Sequence, residues 1–231
     1  MNSNDILTIV TVFKKNPGWE EEYVYRLKQG IERHLSIPFR FVCISDVELE
    51  CDTLPLEINN EINRWALWYK MQCWKPEFGL TGRTMFIDLD TLIIDDFSDI
   101  INQIKGQQFL MSNDPWRGNI SCSALMYWEG DHSDLWNMFA SEPMSHWVER
   151  FQEAPNRKDI GVQQAFVAAH KKHKLIQDVI KNPRRTDRIR KGPHTGKAAM
   201  LYCSGNRKPW NPLMLKHPDV KKYWLGIDDD S

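Results

Sequence analysis

The chain is 231 residues long and carries 30 lysines and arginines against 31 aspartates and glutamates, a formal net charge of −1. With 42% hydrophobic and 26% charged residues, it has the composition of an ordinary globular protein, which excludes collagen-like, coiled-coil and disordered chains. The length suits one large domain or two small ones and is ample to bury a core.

No apolar run reaches the roughly 18 residues of a membrane span, and the start from Met1 to Asp5 lacks the basic and apolar regions of a signal peptide, so a cytoplasmic address is expected. Cys43, Cys51, Cys73, Cys122 and Cys203 are odd in number, widely spaced and without a CxxC pair. That pattern reads as reduced packing residues rather than a disulfide framework or a structural zinc site.

In chain order, Ile6 to Phe13 (ILTIVTVF) is a β-branched apolar run of strand length, as expected for a buried parallel strand. Tyr23, Leu27 and Ile31 give Trp19 to Leu35 one apolar helical face. Phe39 to Ser45 (FRFVCIS) repeats the strand pattern, so the three segments predict a right-handed βαβ unit. A second helix is predicted over Arg64 to Trp74, stopped by Pro76 and Gly79, and it leads into the strand Arg83 to Asp88. Phe109 to Ser112, Ile120 to Trp128 and Met200 to Cys203 read as further strands, Leu135 to Phe139 and Val162 to His170 as helices. With no internal repeat and no linker, one α/β domain with a mixed, mainly parallel sheet flanked by helices is the expected fold.

The chemistry concentrates in Phe86-Ile87-Asp88-Leu89-Asp90-Thr91. Two carboxylates at i and i+2 after an apolar strand are expected on one face at its carboxyl end, where ligands of open α/β sheets bind. Unit charges about 4 Å apart repel by about 4 kcal/mol at a protein-like dielectric, so such a pair calls for a cation, a proton or basic side chains. All-oxygen ligands suit Mg²⁺ or Mn²⁺, which keep waters and recruit substrate phosphates. An arbitrary D-x-D can also simply end a strand and solvate a turn. Asp95 and Asp96 read as helix-capping residues for the segment from Phe97 onward.

The string Arg83 to Ile100 (RTMFIDLDTLIIDDFSDI) resembles the D-x-D region of GT-A-fold glycosyltransferases, particularly the family 8-like enzymes related to glycogenin. Three further blocks follow the order of that family: Phe39 to Asp46, Trp65 to Trp74 (WALWYKMQCW) and Ser204 to Trp210 (SGNRKPW). The resemblance implies a Rossmann-like GT-A domain, with a nucleotide-binding half over about residues 1–110 and an acceptor half over about 111–231. It implies a hexosyltransferase-like enzyme that moves a sugar from a nucleotide-diphosphate donor, UDP-linked, to a glycan, protein or nucleic-acid hydroxyl.

By the same resemblance Asp90 and Asp88 would ligate Mn²⁺ or Mg²⁺, with Asp88 also reaching the donor. Lys70 would lie near the donor, Gly205 and Lys208 would meet its phosphates, and Thr11, Val12, Phe13 and Asp46 would line the base and ribose pocket. The chain departs from the family where a metal-binding histidine gives way to Tyr202, and His194 is the substitute candidate. The family's Asp-Gln pair becomes Gln163-Gln164; Gln164 suits a retaining reaction, whereas an inverting one would need a base, for which Asp159 and Asp114 are candidates. Two other readings are a haloacid-dehalogenase-like phosphatase, whose fifth motif position is Leu92 here, and a non-catalytic glycan-binding protein exploiting the ten tryptophans. Of these, Trp65, Trp68 and Trp74 read as core. The segment Lys181 to Lys197, with seven cations against Asp187 alone, reads as a solvated loop or as an anion site for the donor diphosphate or a charged acceptor.

Overall fold

The computed structural model describes residues 6–59, 66–114, 116, 120–152, 162–203 and 207–227. Strand β1 (Leu7–Phe13) leads through helix α1 (Glu22–His34) to β2 (Phe39–Ser45), which lies parallel to β1 in register Leu7 to Phe39. Short β3 (Asp52–Pro55) extends that edge. On the other side of β1 comes β4 (Thr84–Ile87), also parallel, and then β7 (Ser121–Trp128), antiparallel to both β4 and β6 (Phe109–Asn113). Two-residue β8 (Lys174–Leu175) closes the far edge, giving the order β3-β2-β1-β4-β7-β6-β8. Four of the six pairings are parallel, so the mixed, mainly parallel sheet matches the sequence expectation.

Side-chain alternation divides the core between the two faces. Ile9, Phe13, Met85 and Ile87 face α1 and helix α2 (Ser98–Ile104), whereas Val10, Phe86 and Met126 face α3 (Ser133–Ala140) and α5 (Val162–His170). Helix α4 (Met144–Gln152) adds Trp147 to this second face. Trp68 and Trp74 are buried there, as expected from their spacing; Trp65 lies outside the described residues.

The segment Ala66–Trp74 is a 3₁₀-helix rather than the α-helix that the sequence predicts from Arg64. Every residue from Trp68 to Lys75 is buried, so packing all round, not an amphipathic stripe, sets its winding.

A second, three-stranded sheet positions the site. Past Ile87 the chain turns, and β5 (Thr91–Ile93) leaves the large sheet to pair antiparallel with β10 (Met200–Tyr202), which is flanked in turn by β9 (Thr186–Arg188). The register sets Tyr202 beside Thr91, which brings the segment after β10 back to Asp90. Among the described residues no helix is long and apolar enough to cross a membrane. Cys43, Cys73 and Cys203 are buried, Cys51 and Cys122 partly so, and all five are free thiols.

Phe166 is wholly buried, 4.9 Å from the Trp147 ring, 5.9 Å from Trp68 and 6.1 Å from Phe139, centroid to centroid. Phe166→Ala is expected to cost about 3–5 kcal/mol of stability in urea unfolding. A loss below about 1 kcal/mol would contradict this packing.

Candidate active site

Continuing the β1–β4 register of Val10 beside Phe86 by two residues brings Val12 level with Asp88. At these adjacent carboxyl ends lies a cavity of about 200 Å³. Asp88 and Asp90 both line it, but not as an extended strand end. The Thr91 N–H donates to the Asp88 carbonyl (3.0 Å), a tight turn forced by the departure of β5 to the second sheet. The turn still delivers both carboxylates to one cavity.

Each carboxylate is met by its own lysine. Lys70 Nζ is 2.7 and 2.8 Å from the two oxygens of Asp88 and also approaches the Ser123 carbonyl and hydroxyl. Lys70 is only 6% exposed and sits 5.1 Å from the Phe86 ring centroid, so its charge is tolerated only because Asp88 neutralises it. Lys208 Nζ is 3.3 Å from Asp90 and lies over two indole rings, 4.4 Å from Trp19 and 5.1 Å from Trp210.

Trp210 in turn stacks on Tyr23 at 4.3 Å and 7°, with Trp19 edge-on at 5.1 Å. The Lys208-Pro209-Trp210 motif is thus pinned to the start of α1, closed over Asp90. Burial pushes the Asp90 carboxyl up, Lys208 pulls it down, and neighbouring Asp88 pushes it up again, with the net at about 6 against an ordinary 3.8.

Val12, Lys70, Asp88, Asp90 and Lys208 therefore share one cavity. Thr11 and Phe13 are fully buried, and Phe13 packs toward α1, so only their backbone is near the site: β1 alternates, and its odd positions face inward. Asp46 does not line the cavity; its Oδ1 accepts the Lys15 N–H at 2.8 Å, between the cavity-lining Lys14 and Asn16 in sequence. Gln164 is one step removed, its Oε1 accepting the Ser123 N–H at 3.5 Å behind Lys70. Asp114 is bound to its own loop through the Trp116 N–H. Gly205 and Asp159 lie outside the described residues.

His194 is not brought to the aspartates. Its backbone N–H donates to Asp219, its Nε2 accepts the Ala198 N–H at 3.2 Å, and it lines a different cavity. Tyr202 is buried, which raises its phenol, and it faces Ser112 and Thr186. Among the described residues no group of three or more His, Cys, Asp or Glu could hold a metal ion. Two carboxylates remain a fitting partial donor set for Mg²⁺ or Mn²⁺, which complete their shells with water and substrate phosphate.

The structure adds Lys14, Asn16, Trp19 and Tyr69 to the cavity lining. The Lys15-Asn16-Pro17-Gly18 turn after β1 carried a signal for the first three, since loops at strand carboxyl ends are where ligands bind.

No family profile and no curated protein matches the sequence. Solved structures do match the fold. The galactosyltransferase LgtC, in complex with donor and acceptor sugar analogues, matches at a TM-score of 0.60 and 11% identity over 97% of each chain. An active-site mutant of LgtC, with a glutamine replaced by glutamate, matches at 0.59 and 11% identity, covering 89% of this chain and 90% of that one. The apo glycosyltransferase GlyE of Streptococcus pneumoniae TIGR4 matches at 0.57 and 11% identity over 90% of this chain, which spans 56% of the GlyE chain. At these identities the likeness shows the fold, and that fold is the GT-A fold that the D-x-D region implied.

Asp90 holds its proton more tightly in the folded protein than in the unfolded chain, so its contribution to stability falls as pH rises from about 4 through about 6. Asp90→Asn removes that loss. In urea unfolding, the stability of the variant relative to wild type is expected to grow between pH 4 and pH 7. A difference that stays flat or shrinks across that range would contradict the raised carboxyl.

Proposed function

We propose that the chain is a metal-dependent glycosyltransferase that moves a sugar from a nucleoside-diphosphate donor, UDP-linked, to an acceptor hydroxyl. The observation that carries this reading is the convergence of Asp88, Asp90, Lys70 and Lys208 on one cavity at the carboxyl ends of β1 and β4. The fold supports it, being shared with LgtC, which was solved with donor and acceptor sugar analogues.

Transfer breaks the bond between the anomeric carbon and the diphosphate oxygen, and the leaving group keeps the electron pair. Charge stabilisation on that diphosphate is the main demand on the protein. Asp88 and Asp90 would hold Mn²⁺ or Mg²⁺, which when bound supplies Lewis-acid stabilisation of the phosphates. Lys208 is a partly exposed point charge over two indoles, and a diphosphate entering the cavity would compete with Asp90 for its ammonium. Lys70 stays on Asp88 and fixes the direction of that carboxylate. Val12 and Trp19 offer apolar surface to the ribose and base, with Tyr69 also in the lining and Asp46 outside it. Gly205, from its sequence motif alone, would meet the diphosphate.

Gln164 is neutral and removes no proton, which suits a retaining transfer. The glutamine whose mutation defines the LgtC active-site variant is in line with that role. Asp159 is the alternative, as a base for an inverting transfer. The whole chain would act as one unit, residues 1–110 holding the nucleotide and 111–231 the acceptor.

Hydrolysis and transfer from a panel of nucleotide-sugars with Mn²⁺ test the reading. Asp90→Ala and Asp88→Ala are expected to lower kcat by about 100-fold or more, the scale on which transition-state charge stabilisers act. Full activity in Asp90→Ala, or turnover of an aryl phosphate that depends on Asp88, would overturn it.

A further inference from the structure

The basic segment from Lys181 to Lys197 does not serve the aspartate cavity, and one of its cations is structural. Arg185 bridges Asp95 and Asp99 and donates to the Lys197 carbonyl, tying the loop to α2. Arg184, Arg188, Arg190, Lys191 and Lys197 open onto two further cavities that share Arg190. One, of about 660 Å³, is bordered by Arg184, Arg190, Lys197 and the polar side chains of Asn113 and Thr186. The second, of about 280 Å³, is formed by Arg188, Arg190, Lys191 and Arg207 around Trp116.

Arg188, Lys191, Arg184 and Lys197 have no ion-pair partner among the described residues, while Arg190 pairs with Asp187 at 3.0 Å. Such a density of unpaired cations in a chain of net charge −1 is held together only at a cost in mutual repulsion, which an anion relieves. Trp116 is 37% exposed in the middle of the four cations. Arg207 and Lys208 are adjacent in sequence, so one segment contributes a cation to this surface and another to the cavity of Asp88 and Asp90.

We infer that the surface around Trp116, Arg188, Arg190, Lys191 and Arg207 binds an anionic saccharide, a sugar bearing phosphate or carboxylate, as acceptor. The acceptor role rests on the glycosyltransferase reading; the saccharide site does not. Three observations favour a saccharide over a nucleic acid. The cations rim two open concavities of about 660 and 280 Å³ rather than an extended track for a backbone. A single exposed indole serves one sugar face, whereas single-strand binders stack successive bases on several aromatics. In the adjoining cavity that shares Arg190, Asp187, Thr186 and Asn113 add acceptors and donors of the kind that read sugar hydroxyls.

Binding of glucose 6-phosphate and glucuronate, measured by calorimetry without nucleotide or metal, tests this against glucose, inorganic phosphate and a single-stranded oligonucleotide. One charged sugar or the other is expected to bind at least about tenfold more tightly than glucose, and the one that binds identifies the anion. An Arg188→Gln, Lys191→Gln double variant with an unchanged Tm is expected to lose about tenfold of that affinity, and Asp90→Asn to keep it. Equal binding of glucose, equal binding of inorganic phosphate, or tighter oligonucleotide binding with steep salt dependence would overturn the inference. If the charged sugar binds while UDP with Mn²⁺ does not bind the same preparation, the saccharide site stands and its acceptor role falls with the glycosyltransferase reading.

Discussion

The repulsion between Asp88 and Asp90 is the constraint around which this molecule is arranged. Two carboxylates facing a single cavity are unstable without compensation, and the chain answers with a lysine for each. Lys70 reaches Asp88 from a 3₁₀ segment buried on one side of the sheet. Lys208 reaches Asp90 from the far end of the chain, carried there by β10 pairing with β5. The compensation is unequal. Lys70 is buried and locked between Asp88 and Ser123, whereas Lys208 is a partly exposed ammonium resting on indole faces. Burial and the neighbouring Asp88 push the Asp90 carboxyl up even though Lys208 pulls it down.

This asymmetry gives the site a direction of change. A cavity whose carboxylates are neutralised from within has low net charge at rest, and in the proposed reaction it would admit a diphosphate and its counter-cation together better than either alone. The aromatic cluster of Trp19, Tyr23 and Trp210 holds the C-terminal motif in place over the site. It also gives Lys208 two cation–π partners.

Much of this was legible in the sequence, and the parts that were not share a physical cause. Apolar runs of strand length marked β1 and β2, and a helical segment marked α5, to within a residue or two, because those segments are buried in ways that local pattern records. The alternation of side chains along a strand could have separated Val12 from Phe13, one facing the cavity and the other the core. The D-x-D was read as a strand end because nothing local announces that β5 joins a different sheet. Trp19 and Lys208 are 189 positions apart, and only the path of β10 brings them together. His194 looked available as a ligand, but its loop folds back so that Ala198 takes its ring nitrogen. The cations of residues 181–197 looked like one group, and the structure sorts them into a loop anchor, Arg185, and a surface facing two other cavities.

In the proposed glycosyltransferase, internal lysines hold the carboxylates until a diphosphate arrives. Calorimetric titration of Mn²⁺ into the protein with and without saturating UDP, at pH 7.5, tests it directly. Weak Mn²⁺ binding alone and binding at least about tenfold tighter with UDP are expected, a coupling of ordinary size for linked ligands. Equal Mn²⁺ affinity in the two titrations, or none in either, would contradict it.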